Sequence, residues 1–440
     1  MASFDTPGRP LPGASAAWAA MVERLFSRAR LGMILGLDRI ARVLSLLGHP
    51  ERKFPSIHVA GTNGKGSTSA FLATILGQQR RVGLYTSPHL LAVNERVQIV
   101  EDGVAAPLPE SELLQALLDV EAIAPDFGDL TFFEVLTTGA LLALARADID
   151  VCVVEAGIGA KLDATRMVDA EVSVLTDLSL EHTAILGDTL EAIASDKAFV
   201  MRPGRPLVYA GSTPEADRVV EREAAKEGVT TFRIGRELRI EPTAGGQFLL
   251  DLGDLALPPL TLPLAGGHQS RNAILAAKAA RLFDPSLDAS AIAEGLGRTK
   301  WPGRFDLRTV PGRAPLLLDG AHNPQGVLAF AEALQTAPLP GPKHLVFAAM
   351  DDKDARQMLE PLFPLVSSVI MTRPSGQPRA RAPDDLAQLG EGRSLRMDAM
   401  ESVQGAIDEA DRRAQQDGGM VLVAGSLYLV GEALRLIARP

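Results

Sequence analysis

The sequence predicts an α/β protein of two domains, each built on a mostly parallel sheet, and three observations carry the prediction. At 440 residues the chain is too long for one hydrophobic core. Short β-branched runs alternate with helix-length apolar segments, the pattern of a parallel sheet covered on both faces. That alternation breaks off near residue 236 and restarts at Leu316. The first domain is expected over 1–300, with a small antiparallel element at its edge near 236–263, and the second over 301–440.

Taken in order, the first fourteen residues are rich in Pro, Gly and Ser and read as flexible. Residues 15–30 form a short amphipathic stretch (Trp18, Met21, Val22, Leu25, Phe26) with acidic Glu23 and no apolar signal-peptide core. Residues 37–47 have helical spacing. The run Ile57-His58-Val59 is a strand. It breaks into Ala60-Gly61-Thr62-Asn63-Gly64-Lys65-Gly66-Ser67-Thr68 and then into helix-like sequence. Further strands are expected at Val82–Tyr85, Val151–Glu155, Val172–Thr176, Leu207–Tyr209 and Thr231–Ile234. Helices are expected at Glu110–Ile123, Thr131–Ala147, Thr189–Val200 and between the last two strands. Residues 236–263 are short, β-like and turn-rich, and Asn272–Leu282 is a strong Ala-rich helix. Trp301-Pro302-Gly303-Arg304 marks a domain junction. Strands follow at Leu316–Leu318, Leu345–Ala348, Val369–Thr372 and Val421–Ala424, with helices between them and a Pro/Arg-rich loop at 373–383. No G-x-G-x-x-G turn opens this second sheet, so a dinucleotide site is not supported there.

Composition is ordinary for a globular protein, 46% hydrophobic and 22% charged. The net charge of −10 argues against a general nucleic-acid or membrane-surface binder. A nucleotide bound by so acidic a chain needs locally held positive charge. The single cysteine, Cys152, lies in a strand-like run and reads as a small core residue. No run approaches eighteen apolar residues. The expectation is a cytoplasmic protein.

Gly61–Ser67 reads as a phosphate cradle, the alternative being a plain Gly-rich turn between strand and helix. Glycines let backbone N–H groups converge on an anion, and the following helix N-terminus adds about half a positive charge. Lys65 can reach a β- or γ-phosphate, and Ser67 or Thr68 can serve phosphate or Mg²⁺. The commoner G-x-x-x-x-G-K-[ST] pattern fails, because Val59 stands where its first glycine belongs and Gly66 follows the lysine.

Other candidates follow strand ends, where ligands gather in parallel sheets. Glu155 is either a Mg²⁺ ligand, hard oxygen for a hard cation, or a strand-end carboxylate that caps or pairs. His182 follows another strand, and Lys197 lies on the helix after it. Ser87 can offer a hydroxyl to the same metal or open a Ser-Pro turn. In the second half Asp319 can bind a ribose hydroxyl or close an Asx-type turn, and His322 can lie against a base. Arg304 can clamp phosphate charge. Asn272 can be a simple helix cap.

Together these segments resemble the folylpolyglutamate synthase/dihydrofolate synthase family of the Mur ligase superfamily. The resemblance runs from about Gly36 to Glu432. It is carried by Val59–Thr68, Leu84–Leu90, Asn94–Val97, Thr131-Phe132-Phe133-Glu134, Glu155–Thr165, His182 with Leu186–Leu190 and Lys197, and Gly267–Gln269 with Asn272. It continues through Trp301–Arg304, Asp319–Pro324, Asp352-Lys353-Asp354 and Gly425-Ser426-Leu427.

The resemblance implies an N-terminal P-loop NTPase-like domain, a C-terminal Rossmann-like domain that binds glutamate, and an active site in the cleft between them. It implies that Gly61, Thr62, Asn63, Gly64, Lys65, Gly66 and Ser67 hold ATP, with Asn272, Arg304, Asp319 and His322. It implies two Mg²⁺ ions, one on Ser87 and Glu155, the second on Glu155 and His182 with a carbamylated Lys197, and K⁺ as a further candidate. Lys65, His182 and Lys197 would be the catalytic groups. A pterin pocket would draw on Thr131, Phe132, Phe133, Glu134, Lys161, Leu162 and Asp163. Here the chain departs from the usual Gly-Gly-Arg-Leu-Asp-Ala-Thr-Asn, reading Gly159-Ala160-Lys161-Leu162-Asp163-Ala164-Thr165-Arg166. Lysine loses the guanidinium fork, Ala160 restricts the backbone and Arg166 adds charge.

The expected activity is ATP-dependent joining of L-glutamate to a pterin carboxylate through an acyl phosphate. Dihydropteroate, a reduced folate or both would serve as acceptor, and the enzyme would be a monomer. The alternatives are another Mur-type amino-acid ligase or a P-loop ATPase that makes no bond. A peptidoglycan Mur ligase would carry a uridine-nucleotide domain first, and sixty residues before Gly61 are too few for one.

Overall fold

In the computed structural model the described residues are 15–28, 32, 34, 36–123 and 130–438. The flexible segment expected over residues 1–14 lies outside them. The chain divides into two compact units. The first holds residues up to Pro263 together with Gln269–Lys300, and the second holds Leu264–His268 together with Trp301 onward. Among the described residues no helix is long and apolar enough to cross a membrane.

The first unit is built on β1 (Ser56–Ala60), β2 (Val82–Tyr85), β3 (Val97–Glu101), β4 (Val104–Pro107), β5 (Val151–Glu155), β6 (Ala170–Leu175), β7 (Leu207–Tyr209) and β8 (Thr231–Arg233). They form one sheet in the order β4-β3-β2-β5-β1-β6-β7-β8. From β2 to β8 every neighbouring pair is parallel. β1 is buried along its whole length, as a strand between two parallel neighbours and covered on both faces must be. The helices Lys65–Leu76 and Phe132–Arg146 have almost no exposed face. One core gathers Trp18, Phe26, Tyr85, Phe132 and Leu141. Another gathers Leu175, Val200, Tyr209 and Val220.

The sequence reading misses the hairpin β3–β4, which extends the sheet antiparallel. Its signal is the Asp102-Gly103 turn, both residues at positive φ (52° and 70°), the backbone a two-residue hairpin needs. The turn-rich segment holds β9 (Arg239–Pro242) and β10 (Phe248–Asp251), an antiparallel pair in a sheet of their own. The Ala-rich helix starts earlier than expected and spans Gly267–Phe283.

The second unit carries β11 (Asp306–Arg308), β12 (Leu316–Leu318), β13 (Lys343–Phe347), β14 (Ser368–Met371), β15 (Arg396–Ala399) and β16 (Met420–Ala424). Their order is β11-β12-β16-β13-β14-β15, parallel except for β11. The edge strands β11 and β15 escape sequence reading because Asp306-Leu307-Arg308 and Arg396-Met397-Asp398-Ala399 lack a continuous apolar run.

Candidate active site

Register explains which residues meet in the first unit. Val59 pairs with Glu155, Ala60 with Leu175 and Tyr85 with Val154, so β1, β2, β5 and β6 end along one edge. The loop after β1, Ser87 after β2, Glu155 at the end of β5 and Asp177 after β6 therefore gather there, outside the carboxyl ends of the strands.

The loop after β1 is held open from below. Thr62 N–H donates to the Asp177 carbonyl at 2.8 Å, and Thr62 Oγ1 bonds both the carbonyl and the N–H of Ser179. Gly64 is the N-cap of Lys65–Leu76 at φ 89°, and no side chain caps that helix. The first-turn N–H groups thus present an uncapped anion site with the positive end of the helix dipole behind it. A Cβ at Gly61 would collide with Thr176, and one at Gly64 with the Asn272 amide. Glycine is required at both places. Lys65 Nζ donates to the carbonyls of Gly61 and Thr62 at 3.2 and 2.9 Å.

Asn272 does not cap a helix. It lies within Gly267–Phe283, is 5% exposed, and its amide donates to Gln269 Oε1 at 2.9 Å. The earlier helix start places it beside Gly64 rather than at a terminus.

Lys197, on the helix Leu190–Lys197, is 3% exposed and donates to the Gly61 carbonyl at 2.6 Å. Burial, and then the neighbouring Lys65 charge, bring its ammonium down to about 7. Glu155 is buried, and its Oε2 accepts the Ser87 N–H at 3.1 Å. His182 stands at φ 51° just before the helix Thr183–Leu186, with Glu181 Oε1 4.0 Å from its Nε2.

Among the described residues no three His, Cys, Asp or Glu groups are placed to hold a metal by themselves. That suits Mg²⁺, which is ordinarily held by one or two carboxylates with waters and substrate phosphates rather than by an all-protein cage. The donor set fits to the extent that Glu155 and Ser87 offer hard oxygens. Lys197 fits only as an oxygen-bearing derivative, since an ammonium repels a cation.

Behind this edge runs a buried relay that sequence reading does not find. His58 Nε2 bonds Thr165 Oγ1 at 2.9 Å, and Thr165 Oγ1 donates to Asp163 Oδ1 at 2.5 Å. Because the threonine proton goes to Asp163, His58 donates from Nε2. Its Nδ1 is buried without a partner. Asp163 Oδ2 accepts the N–H groups of Gly157 and Ile158 at 3.1 and 2.9 Å, which fixes the turn after Glu155. Burial pushes the Asp163 carboxyl up, opposed by these three donors and by the Thr165 N–H, which reaches Oδ1 at 3.0 Å. Burial also holds His58 down to about 3. The one available signal was a histidine inside an otherwise apolar strand.

Ala160 is not among the positive-φ residues. The left-handed position is Gly159 at φ 71°, and Ala160 N–H donates to Asp196 Oδ1 at 2.8 Å. Leu162 is 41% exposed. Thr131 and Glu134 form a reciprocal capping box on Phe132–Arg146, and Glu134 also pairs with Arg39 at 2.9 Å. Phe132 is part of the core, stacked on Phe26 at 5.1 Å with the Arg96 guanidinium over it. Phe133 packs against Gly157, where an added Cβ would come within 2.7 Å of its ring.

In the second unit Asp319 accepts the N–H groups of Phe305 and Ala321, each at 2.8 Å. Its carboxylate ties together the turns at 303–306 and 319–321. Arg304 lies across Gly320, where a Cβ would collide with it. His322 Nδ1 bonds the Gly320 carbonyl at 2.8 Å, and Asn323 caps the helix Pro324–Thr336.

Residues 59–280 match the Mur ligase middle domain, and residues 303–427 match the Mur ligase glutamate ligase domain. The dihydrofolate synthase/folylpolyglutamate synthase of Bacillus subtilis is 32% identical over 93% of this chain and 96% of its own. A probable bifunctional folylpolyglutamate synthase/dihydropteroate synthase of Haloferax volcanii is 39% identical over 94% of this chain. The chain spans about half the length of that archaeal relative (49%). The solved structure of E. coli FolC in complex with DHPP and ADP superposes with a TM-score of 0.84 at 30% identity, covering 96% of this chain and 99% of that one. With an uncapped phosphate loop on a parallel sheet edge, and with the Bacillus subtilis and E. coli proteins matched along nearly their whole length, the chain belongs to the folylpolyglutamate synthase/dihydrofolate synthase family of Mur ligases.

Proposed function

We propose that this protein joins L-glutamate to a pterin carboxylate at the expense of ATP, accepting both dihydropteroate and reduced folates. The observation that carries the reading is the buried Lys197, bonded at 2.6 Å to Gly61 in a phosphate loop whose helix has no side-chain cap. A lysine is placed there at high desolvation cost, and phosphoryl chemistry gives it a use.

The γ-phosphate would sit on the N–H groups of Gly64–Ser67, with Lys65 turning from the Gly61 and Thr62 carbonyls to phosphate oxygen. The acceptor carboxylate attacks the γ-phosphorus in line, and ADP leaves. The glutamate amine then attacks the acyl carbon, loses its proton, and phosphate leaves with the former carboxylate oxygen. No side-chain nucleophile is needed, so these residues act by position and charge.

Glu155, Ser87, His182 and Lys197 would hold Mg²⁺. The ion, when bound, would offset charge on the phosphate oxygens. We propose that Lys197 does so as a carbamate. Its amine, about half neutral at pH 7, adds to CO₂, releases a proton and becomes an oxygen ligand.

The test is phosphate release with dihydropteroate or tetrahydrofolate, each with and without glutamate. Release that requires both acceptor and glutamate is expected for each acceptor. ATP splitting at the same pace without them would overturn the reading.

A further inference from the structure

Lys161 and Arg166 are the two positions at which this chain adds or reshapes charge beside the site, and both side chains converge on one ring. Lys161 Nζ lies 5.2 Å from the centroid of Phe199, and the Arg166 guanidinium carbon lies 4.9 Å from it. The two cations are thus at most about 10 Å apart, roughly one Debye length at about 0.1 M salt. Arg202 adds a third positive charge beneath them. Its guanidinium is spent on the carbonyls of Arg166, Val168, Phe199, Val200 and Met201. Among the described residues, no carboxylate pairs with any of the three. Burial, and then the nearby Arg166 charge, act to disfavour the charged form of Arg202, and the Asp169 carboxylate acts against them.

The ring holds both cations in place, and a bound anion would supply the carboxylate partner that neither has. The fold also ties this platform to the phosphate loop. Arg166 bonds the Lys161 carbonyl at 3.1 Å, and the preceding Ala160 N–H is held by Asp196. Asp196 adjoins Lys197, which bonds Gly61.

We infer that Lys161 and Arg166, braced by Phe199 and Arg202, form a carboxylate-binding platform for the γ-linked glutamate chain of an acceptor already carrying glutamate. The inference rests on the proposed ligase activity. Each added glutamate leaves one α-carboxylate close to the γ-carboxylate that reacts next. A guanidinium takes such a group through paired N–H donors, and a lysine takes a second as a point charge. Dihydropteroate carries no carboxylate besides the reacting one, so the platform favours chain extension over the first addition.

Arg166→Glu and Arg166→Asn test this, each first checked by thermal melt against the parent. In steady-state kinetics the ratio of kcat/KM for tetrahydropteroyl-diglutamate to that for dihydropteroate is expected to fall about tenfold in Arg166→Glu, through KM, and less in Arg166→Asn. Equilibrium titration with tetrahydropteroyl-triglutamate, which needs no turnover, should show a matching weakening that added salt reproduces in the parent. An unchanged ratio with unchanged triglutamate affinity overturns the platform, as does a parent protein that fails to bind the triglutamate. Absence of glutamate-dependent phosphate release with every acceptor overturns the ligase reading instead, and the titration still decides the platform.

Discussion

Lys197 Nζ donates to the carbonyl oxygen of Gly61 at 2.6 Å, joining two residues 136 positions apart in the chain. A helix lysine, ordinarily a solvated residue, is here buried against the loop that the phosphates would occupy. The parallel strands β1 and β6 bring the two segments together.

Replacing this lysine tests whether its side chain acts by charge or as an oxygen ligand. Lys197→Ala is expected to lower glutamate-dependent phosphate release by about a hundredfold or more. Formate or acetate should restore part of it by supplying the missing carboxylate oxygen. Near-normal activity without such an addition would exclude the carbamate.

Glu155→Gln removes the hard anionic oxygen at the end of β5 while keeping its size. Its amide can still accept the Ser87 N–H, so the thermal melt should stay close to that of the parent. Mg²⁺-dependent turnover should fall by about a hundredfold or more. Unchanged turnover across a Mg²⁺ titration would remove Glu155 from the ligand set.

His58 makes stability depend on acid. Its folded value, about 3, lies below the ordinary 6.5, so on acidification the unfolded chain takes up the proton first. Its contribution is complete above pH 6.5 and is lost as pH falls from there toward 3. Between pH 6.5 and 4.5 the loss from this one residue is about 2–3 kcal/mol. Urea midpoints at the two pH values should show this, and His58→Gln should flatten the difference. The same pH dependence in both proteins would assign it elsewhere.

Thr131 closes a capping box, so its loss should appear in stability whatever it contributes to substrate. Thr131→Ala is expected to cost about 1 kcal/mol in urea unfolding, and Thr131→Ser close to nothing. A Thr131→Ala protein as stable as the parent would mean that the helix Phe132–Arg146 does not depend on this cap.

The phosphate loop, most of the parallel strands and the repeated α/β layout were legible in the chain, because strand–turn–helix patterns are written in consecutive residues. Gly61 and Gly64 could be marked for the backbone they adopt before their neighbours Thr176 and Asn272 were known. Edge strands such as β11 and β15 were not legible, since a strand paired on one side needs no continuous apolar run. Thr131-Phe132-Phe133-Glu134 could be singled out as a motif, yet only the fold showed that two of its members cap a helix and one fills the core. The pairing of Lys197 with Gly61, the His58–Thr165–Asp163 relay and the convergence of Lys161 and Arg166 on Phe199 depend on contacts between distant segments. Local sequence determines which conformations each segment can adopt. Strand order and register determine which side chains share a low-dielectric space, and there burial rather than residue type decides charge and reactivity.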